Sequence, residues 1–419
     1  MRVTLLTVGT QGDVVPFAAL GRRLVERGHR VTIGTYAAYA GLVTANGLRH
    51  HVVPGDPKVA LERTSGKLAA AKSSPLRYLR GLREQVRTLA QHARPLLDAM
   101  NEAADDSEMI VYGLTSMMGA SIAEARGVPA IQAFLTPVTP TRAFAGFLAK
   151  REIGGPFGAG NLINHLVAEQ ILSRPYVGVL NAWRRDALRL GPIGPRGFFY
   201  EQRRRRTPLL YGFSSHIVPK PPDWPPWVEV TGYWLPDSGA WTPPAELERF
   251  LQAGPPPVYI GFGSMVSTDP EAQTRTIVEA LDGRRAVLAQ GWGGVGAGAL
   301  PATILQIDEA PHAWLFPRMS TVVHHAGNGT TGAGLQAGVP TVAVPLLGDQ
   351  FFWARRLHAL GLSPAPVPQR SMTASALATA LAAAERPAIR ERAAAVGSLV
   401  RAEDGLERAI AAVERHAGG

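Results

Sequence analysis

Val323-His324-His325-Ala326-Gly327-Asn328-Gly329-Thr330-Thr331-Gly332-Ala333, running on through Gly338-Val339-Pro340 to Gly348-Asp349-Gln350, decides the fold. Val322 and Val323 close a short apolar run with the β-branched character of a strand. Two histidines and a glycine-rich turn follow, and Thr330, Thr331 and Ala333 open a helix. A strand, such a turn and a helix N-terminus together make an anion site, because unpaired N–H groups point outward and the helix dipole favours negative charge. A second apolar run, 341–347, ends on Gly348-Asp349-Gln350, a carboxylate and an amide suited to hydroxyl groups. Phosphate and polyol recognition in one unit point to a nucleotide-sugar site.

Outward from that unit, strand and helix patterns alternate. Runs at 2–8, 30–34, 48–53, 109–112 and 128–134 read as strands, with helices over 14–27, 76–104 and 115–126. Residues 56–75 are rich in Pro, Ser and small side chains and read as a loop. Between 136 and 195 the pattern loosens into Phe144, Phe147, Phe157, Leu162, Ile163, Tyr176 and Trp183, broken by Gly and Pro; it reads either as core helix or as the lining of an apolar pocket. Eight prolines crowd 219–244 and give a stiff linker. Strands at 257–262, 285–290 and 303–307 then alternate with helices at 271–281 and 312–316, and an Ala-rich helical tail starts at Thr373.

This order implies an α/β chain of two Rossmann-like, doubly wound parallel-sheet domains facing an interdomain cleft. The expected units are 1–218, a linker at 219–243, 244–400, and a C-terminal helix at 401–419 that packs back on the first domain.

Composition narrows the function. At 419 residues, 46% hydrophobic and 18% charged, the chain is long enough for two cores and too apolar for disorder. The net charge of +10 comes from arginine, with lysine only at 58, 67, 72, 150 and 220. The cluster 203–206 has no interleaved aromatics and no nucleic-acid motif beside it, so it reads as a solvated loop and no nucleic-acid partner is expected. Without cysteine there is no disulfide, thiolate nucleophile or Cys-bound metal. Residues 1–9 read as the first strand instead of a signal peptide, and Gly and Pro break every apolar run short of a membrane span. A cytoplasmic protein without stable membrane insertion is expected, as a monomer or weak homodimer.

The G-x-G-x-x-G pattern occurs at 327–332 and again at 291–296, where no helix follows. With Asp349 at the spacing of a ribose-binding acid, the first match admits an NAD(P)-dependent oxidoreductase. Its late place in the second domain and the two preceding histidines count against that, and a ligand-free turn is a third reading. Gly261-Phe262-Gly263-Ser264-Met265 follows a strand, so Ser264 either reaches a second phosphate oxygen or sits in a tight turn. In Thr10-Gln11-Gly12-Asp13-Val14-Val15-Pro16, Asp13 either N-caps the next helix or stands at the cleft to take a proton from a hydroxyl; alone, capping is the better reading. The histidines show no paired metal spacing and no Asp-x-Asp exists to hold a metal–diphosphate, which favours a mechanism without metal or cofactor.

Together these stretches resemble the family 1 glycosyltransferases of the GT-B fold, in their bacterial natural-product and sterol-glucosyltransferase-like branch. The likeness covers nearly the whole chain. It is carried by Gly9-Thr-Gln-Gly-Asp-Val-Val-Pro16, Phe213-Ser-Ser-His-Ile-Val-Pro-Lys-Pro221, Val230-Thr-Gly-Tyr-Trp234, Val258-Tyr-Ile-Gly-Phe-Gly-Ser-Met265, Ala310-Pro-His-Ala-Trp-Leu-Phe-Pro-Arg318, and the donor box quoted first. The resemblance implies an inverting transfer from a UDP- or dTDP-sugar to a hydroxyl or N–H of a hydrophobic aglycone, with a sterol or triterpenoid as the alternative acceptor. It implies Asp13 as general base. It also implies His325, Gly327, Asn328, Gly329, Thr330, Thr331 and Ser264 on the diphosphate, Asp349 and Gln350 on the sugar, and Trp292 and Ala310 near the nucleoside. Phe144, Phe147 and Gln11 fall on the acceptor side.

Ala326 and Asn328 replace the usual glycine and alanine of the box, and Glu309 and Ala333 stand where plant relatives place a base-stacking tryptophan and a ribose-binding glutamate. The acid that orients the plant histidine falls near Gly113 and Leu114, which supply no carboxylate; an aspartate base needs none. A nucleotide-sugar-binding protein without turnover is the rival outside enzymes.

Overall fold

The computed structural model describes residues 1–58, 93–149, 153–237, 239, 241–263, 269–296 and 298–418. Seven strands form the first sheet: β1 (Arg2–Leu6), β2 (Arg30–Tyr36), β3 (Arg49–Val53), β4 (Met109–Tyr112), β5 (Ala130–Phe134), β6 (Leu209–Tyr211) and β7 (Val228–Val230). They lie in the order β3-β2-β1-β4-β5-β6-β7, every pair parallel. Five more form the second: β8 (Val258–Gly261), β9 (Ala286–Ala289), β10 (Ile304–Ile307), β11 (Thr321–His324) and β12 (Thr341–Ala343). Their order is β10-β9-β8-β11-β12, again all parallel. The expected pair of doubly wound parallel sheets is what the chain builds. β1, β4, β8 and β11 are almost wholly buried, as parallel strands covered on both faces must be.

Chain order reverses at the middle of each sheet. Leu5 pairs with Ile33 on one side and Val111 on the other, and Ile260 pairs with Leu288 and Val323. Such a reversal leaves a crevice outside the carboxyl ends of the strands, because the connecting helices leave to opposite faces. Both glycine-rich turns, 9–13 after β1 and 261–263 after β8, fall there.

Three parts depart from the sequence reading. The 136–195 stretch, read either as core helix or as pocket lining, does hold a helix, the 28-residue Ala159–Asp186 with Pro175 inside it, but it buries Asn161, His165, Glu169 and Ser173 and exposes Ile163, Val167 and Ile171. The Pro-rich stretch contributes β7, so the first sheet continues beyond residue 218; as the edge strand β7 tolerates prolines nearby. The first helix runs Gln11–Glu26, starting before the expected residue 14. Of the loop expected over 56–75 and the helix expected over 76–104, residues 59–92 lie outside the described residues, and 93–103 are helical as expected.

The helix Gly405–Ala417 crosses back onto the first domain. Ala409, Ile410, Ala412 and Val413 are fully buried in a core shared with Leu20 and Leu24. Full burial of an aliphatic side chain is worth ~1.5–3 kcal/mol, against ~0–1 for an exposed ion pair. The packing therefore outweighs the pairs at its rim, His29 with Glu414 at 3.0 Å and Arg415 with Glu229 at 2.9 Å. The domains also meet directly: buried Trp353 packs edge-on against Phe213, with 5.5 Å between ring centroids.

Candidate active site

On the first-domain side the site begins with a helix cap. Thr10 is the N-cap of Gln11–Glu26 and Asp13 is its third residue. The Asp13 carboxylate reaches back, Oδ2 accepting from the Thr10 N–H at 2.8 Å and the Thr10 hydroxyl at 3.2 Å. Asp13 is thus the acidic half of a capping box, not the N-cap residue itself. Gly9 is required beneath it: at φ +140 it has the backbone of a glycine, and a Cβ there would meet Asp13 Oδ2 at 2.2 Å. The Tyr39 hydroxyl donates to the Gly9 carbonyl at 3.0 Å, and the Thr7 hydroxyl to the Asp13 carbonyl at 3.0 Å. Capping and service at the cleft are therefore not alternatives here. One carboxylate oxygen holds the turn, and among the described residues no donor meets the other. Burial is the largest influence on this carboxyl and pushes its pKa up to about 6; Asp349 across the cleft adds to the rise, and the Thr10 bonds offset part of it.

On the second-domain side β11 ends at two histidines. His324 is fully buried, and its Nδ1 accepts from the Ala326 N–H at 3.0 Å. His325 turns toward the cleft between two glycines: a Cβ at Gly263 would lie 3.2 Å from its Cε1, and one at Gly327 only 2.4 Å from its Nε2. Its imidazole thus stands at the mouth of the helix Asn328–Ala337, capped by Gly327 with no side-chain hydrogen bond. Burial pulls the pKa of His325 and of neighbouring His312 down to about 4, so both rings are neutral at pH 7. Ala326 bends the chain into this turn at φ 63, a left-handed conformation usually left to glycine.

The helix N-terminus offers the Asn328, Gly329 and Thr330 N–H groups, which have no partner within the helix. Thr331 differs from the expectation: its N–H is bonded to the Gly327 carbonyl at 2.9 Å and its side chain is fully buried, so it offers no donor to the cleft. The Asn328 side chain is committed as well, donating to the Gly212 carbonyl of the first domain at 3.0 Å. Ser264 lies outside the described residues.

The sugar-side pair is divided in the same way. Asp349 Oδ2 accepts from the Thr136 hydroxyl at 2.8 Å and from Trp353 Nε1 at 3.1 Å, and burial raises its pKa. Gln350 is buried, and its Oε1 accepts the Leu346 and Leu347 N–H groups at 2.8 and 3.1 Å, fixing the loop on which Asp349 stands. That carbonyl is spent on backbone instead of facing the cleft. The backbone N–H of Trp292 donates to the Gly263 carbonyl at 3.0 Å, and Lys58 of the first domain lies 5.5 Å from the Trp292 ring centroid. Ala310 is partly buried beside Trp314.

On the acceptor side Gln11 is exposed, but Phe147 is a buried core residue. Phe144 is half-buried among Phe352, His165 and Trp224 at 5.7, 5.7 and 6.1 Å. Neither ring forms a free wall.

The sequence did not point to Thr10, Tyr39, Thr136 or Trp353. Thr136 had one signal, its place just after the carboxyl end of β5, where the switch-point rule puts ligand contacts. Trp353 is one helical turn beyond Asp349, close enough to bond it. Among the described residues no group of three or more His, Asp or Glu side chains is arranged to hold a metal ion, and no helix is long and apolar enough to cross a membrane.

Two family models cover most of this architecture: the glycosyltransferase family 28 N-terminal domain matches residues 3–145, and the erythromycin biosynthesis protein CIII-like C-terminal domain matches 278–404. A sterol 3-beta-glucosyltransferase of Arabidopsis thaliana is 34% identical over 429 residues, covering 99% of this chain and 68% of the plant protein. One from Yarrowia lipolytica is 35% identical over 438 residues, and there the chain spans only 29% of the relative's length. Among solved structures, the glycosyltransferase of kitacinnamycin matches with a TM-score of 0.72 at 21% identity, over 99% of this chain and 98% of that one. The calicheamicin glycosyltransferase CalG4 matches at 0.67 and 19%, over 100% and 98%. At such identities the two structures speak for the fold, which neither a dinucleotide oxidoreductase nor a simple binding protein accounts for together with the relatives. Two cleft-facing parallel sheets, a carboxylate on one and a histidine-flanked helix N-terminus on the other thus belong to an enzyme of the family 1, GT-B glycosyltransferases, in the branch that includes the sterol glucosyltransferases.

Proposed function

We propose that the enzyme moves a sugar, with inversion and without a metal ion, from a UDP- or dTDP-sugar to the 3-hydroxyl of a sterol or a similarly shaped polycyclic alcohol. The acceptor class follows the names of the relatives, and glucose is the corresponding sugar. One observation carries the chemistry: the Asp13 carboxyl, with one oxygen unengaged and a pKa near 6, stands at the carboxyl end of β1 close to Asp349 of the facing domain.

A carboxylate of that pKa is mostly ionised at neutral pH, yet on the order of a hundredfold more basic than an ordinary aspartate near 4. It takes the acceptor proton as the hydroxyl oxygen attacks the anomeric carbon and the bond to the diphosphate breaks. Charge builds on the departing diphosphate. The N–H groups of Asn328, Gly329 and Thr330, the dipole of their helix and the His325 ring meet it there, preorganised before the reaction starts. Asp349 takes the sugar hydroxyls, exchanging its bond with Thr136. Trp292 and the backbone near Ala310 receive the nucleoside, and Gln11 lies on the acceptor side.

The test is a panel of UDP- and dTDP-sugars against sterols and other hydrophobic alcohols, read by mass spectrometry, with the anomeric configuration of product assigned by NMR and a parallel run in EDTA. Retention of configuration, or loss of turnover in EDTA, would overturn the mechanism. Asp13→Ala should keep nucleotide-sugar binding by calorimetry while transfer falls by about a hundredfold or more. Unchanged transfer would remove Asp13 from the role. The panel also includes natural-product alcohols, because the second domain resembles that of a protein of erythromycin biosynthesis.

A further inference from the structure

The long helix Ala159–Asp186 is built inside out. Asn161, His165, Glu169 and Ser173, spaced four apart, are all buried. Each is satisfied: Asn161 with Gly154 and Arg142, His165 with the Phe144 carbonyl at 3.1 Å, Ser173 with the Glu169 carbonyl, Glu169 with Arg203. Half a turn away, Ile163, Leu166, Val167 and Ile171 are exposed by 60, 42, 50 and 57%, and Phe157 at the helix entrance by 93%. A helix that lies on a domain turns its apolar stripe inward and its polar face to water. Here the polar stripe is inside, so no internal demand explains the apolar one. Eight of the ten exposed large hydrophobic residues among those described fall between 148 and 176.

Among the described residues the charges around this face are mostly positive: besides Asp223, which accepts the Arg142 backbone N–H at 2.8 Å, they are arginines. Arg142 beside Phe157, Arg174 one turn past Ile171, and Arg196 next to it are exposed. Their guanidinium groups donate to neutral oxygens, those of Phe157, Pro195 and Tyr200. Between residues 153 and 178 the sole acid is Glu169, which is buried and paired. An apolar stripe rimmed by three exposed arginines, against the single exposed carboxylate of Asp223 at the Arg142 end, complements an interface whose surface is anionic and whose depth is hydrocarbon.

We propose that the outer face of Ala159–Asp186, with Phe157 at its tip, docks the enzyme on an anionic lipid bilayer. The helix lies in the interface instead of crossing it, its apolar stripe among acyl chains and its arginines at the headgroups. The purpose, though not the surface itself, rests on the sterol reading: a sterol is held in bilayers, and an enzyme seated there takes its acceptor from the membrane plane.

The test uses the full chain and vesicles of phosphatidylcholine and phosphatidylglycerol at roughly 7:3, without sterol or donor, so that binding is scored apart from catalysis. The unaltered enzyme should sediment with these vesicles, and the paired change Val167→Glu, Ile171→Glu should lower the bound fraction tenfold or more. Phe157→Gly, at a φ of 52 that suits glycine, is a second variant without added charge and should weaken binding severalfold. Arg174→Gln should weaken binding to these vesicles and leave the weaker binding to pure phosphatidylcholine unchanged. Failure of the unaltered enzyme to bind, or equal binding by the variants, overturns the proposal. So does light scattering in which the unaltered chain is a dimer that the glutamates split, for then a second copy covers the face. Vesicle binding without sterol turnover would sink the acceptor reading and leave the surface standing; sterol turnover in detergent without vesicle binding would do the reverse.

Discussion

Asp13→Asn separates what the carboxylate does for the reaction from what it costs the fold. Asparagine keeps an oxygen where Oδ2 accepts the Thr10 N–H at 2.8 Å, so the cap survives. It loses the charge that burial and Asp349 disfavour. A rise in pKa from 3.8 in the open chain to about 6 in the folded one is equivalent to about 3 kcal/mol at ~1.36 kcal/mol per unit. The carboxyl is partly accessible, and water screening reduces the expected figure to about 1–2 kcal/mol. The sign follows from the proton balance. Below pH 3.8 both states are protonated and no penalty exists; between 3.8 and 6 the folded state keeps the proton that the unfolded state releases; above 6 the folded enzyme carries the full penalty. Asp13→Asn should therefore be more stable than the parent at pH 7.5 by about 1–2 kcal/mol, and the advantage should vanish near pH 4. Urea midpoints of both proteins at the two pH values measure this, since groups common to both cancel in the difference. An advantage that does not change with pH would refute the buried-charge account. The same carboxyl should give kcat/KM in the parent an acid limb with its midpoint near pH 6.

Three further expectations concern the donor side and the helix that crosses back. His325 is neutral with a pKa near 4 while no anion faces it, and a diphosphate would raise that value. Affinity for an intact nucleotide sugar, whose phosphates do not titrate near neutrality, should therefore increase as pH falls from 7 toward 5; calorimetry in two buffers of different ionisation enthalpy should register proton uptake, absent in His325→Ala. Ala326→Gly should leave stability within about 1 kcal/mol of the parent, because relief at φ 63 is offset by the lost methyl and the greater freedom of glycine in the open chain. Ala326→Val should cost about 2 kcal/mol or more, read from the same urea curves. Ile410→Ala should cost ~2–5 kcal/mol, and hydrogen exchange should quicken in Gln11–Glu26 as well as in its own helix.

The parts legible in the sequence were those fixed locally. A buried parallel strand is a continuous apolar run, and a switch-point turn needs glycine, so β1, β8 and β11 and the turns after them could be located from residues alone. In the 136–195 stretch the choice between helix and pocket lining, and the face that turns inward, stayed open because the pattern runs opposite to the usual one, with Asn161, His165 and Glu169 inward and Pro175 interrupting. β7 escaped because prolines speak against a strand everywhere but at an edge. Within the site, Asp13, His325 and Asp349 could be named as candidates from residues alone, but not their partners Thr10, Thr136 and Trp353, nor how each side chain spends its bonds. Asn328 turns to Gly212, Gln350 to Leu346 and Leu347, and Thr331 into the interior, and each of those choices depends on partners distant in the chain or hidden by packing.

The returning helix also sets an order of events during synthesis. Its docking groove on Gln11–Glu26 is complete once β7 has been made, but Gly405–Ala417 follows roughly 175 residues later. At ~5–20 residues per second that is an interval of about 10–35 s, during which an apolar furrow on the newborn first domain is uncovered. A chaperone has its clearest target in that window, and the first domain reaches its finished form only when the ribosome has delivered the second.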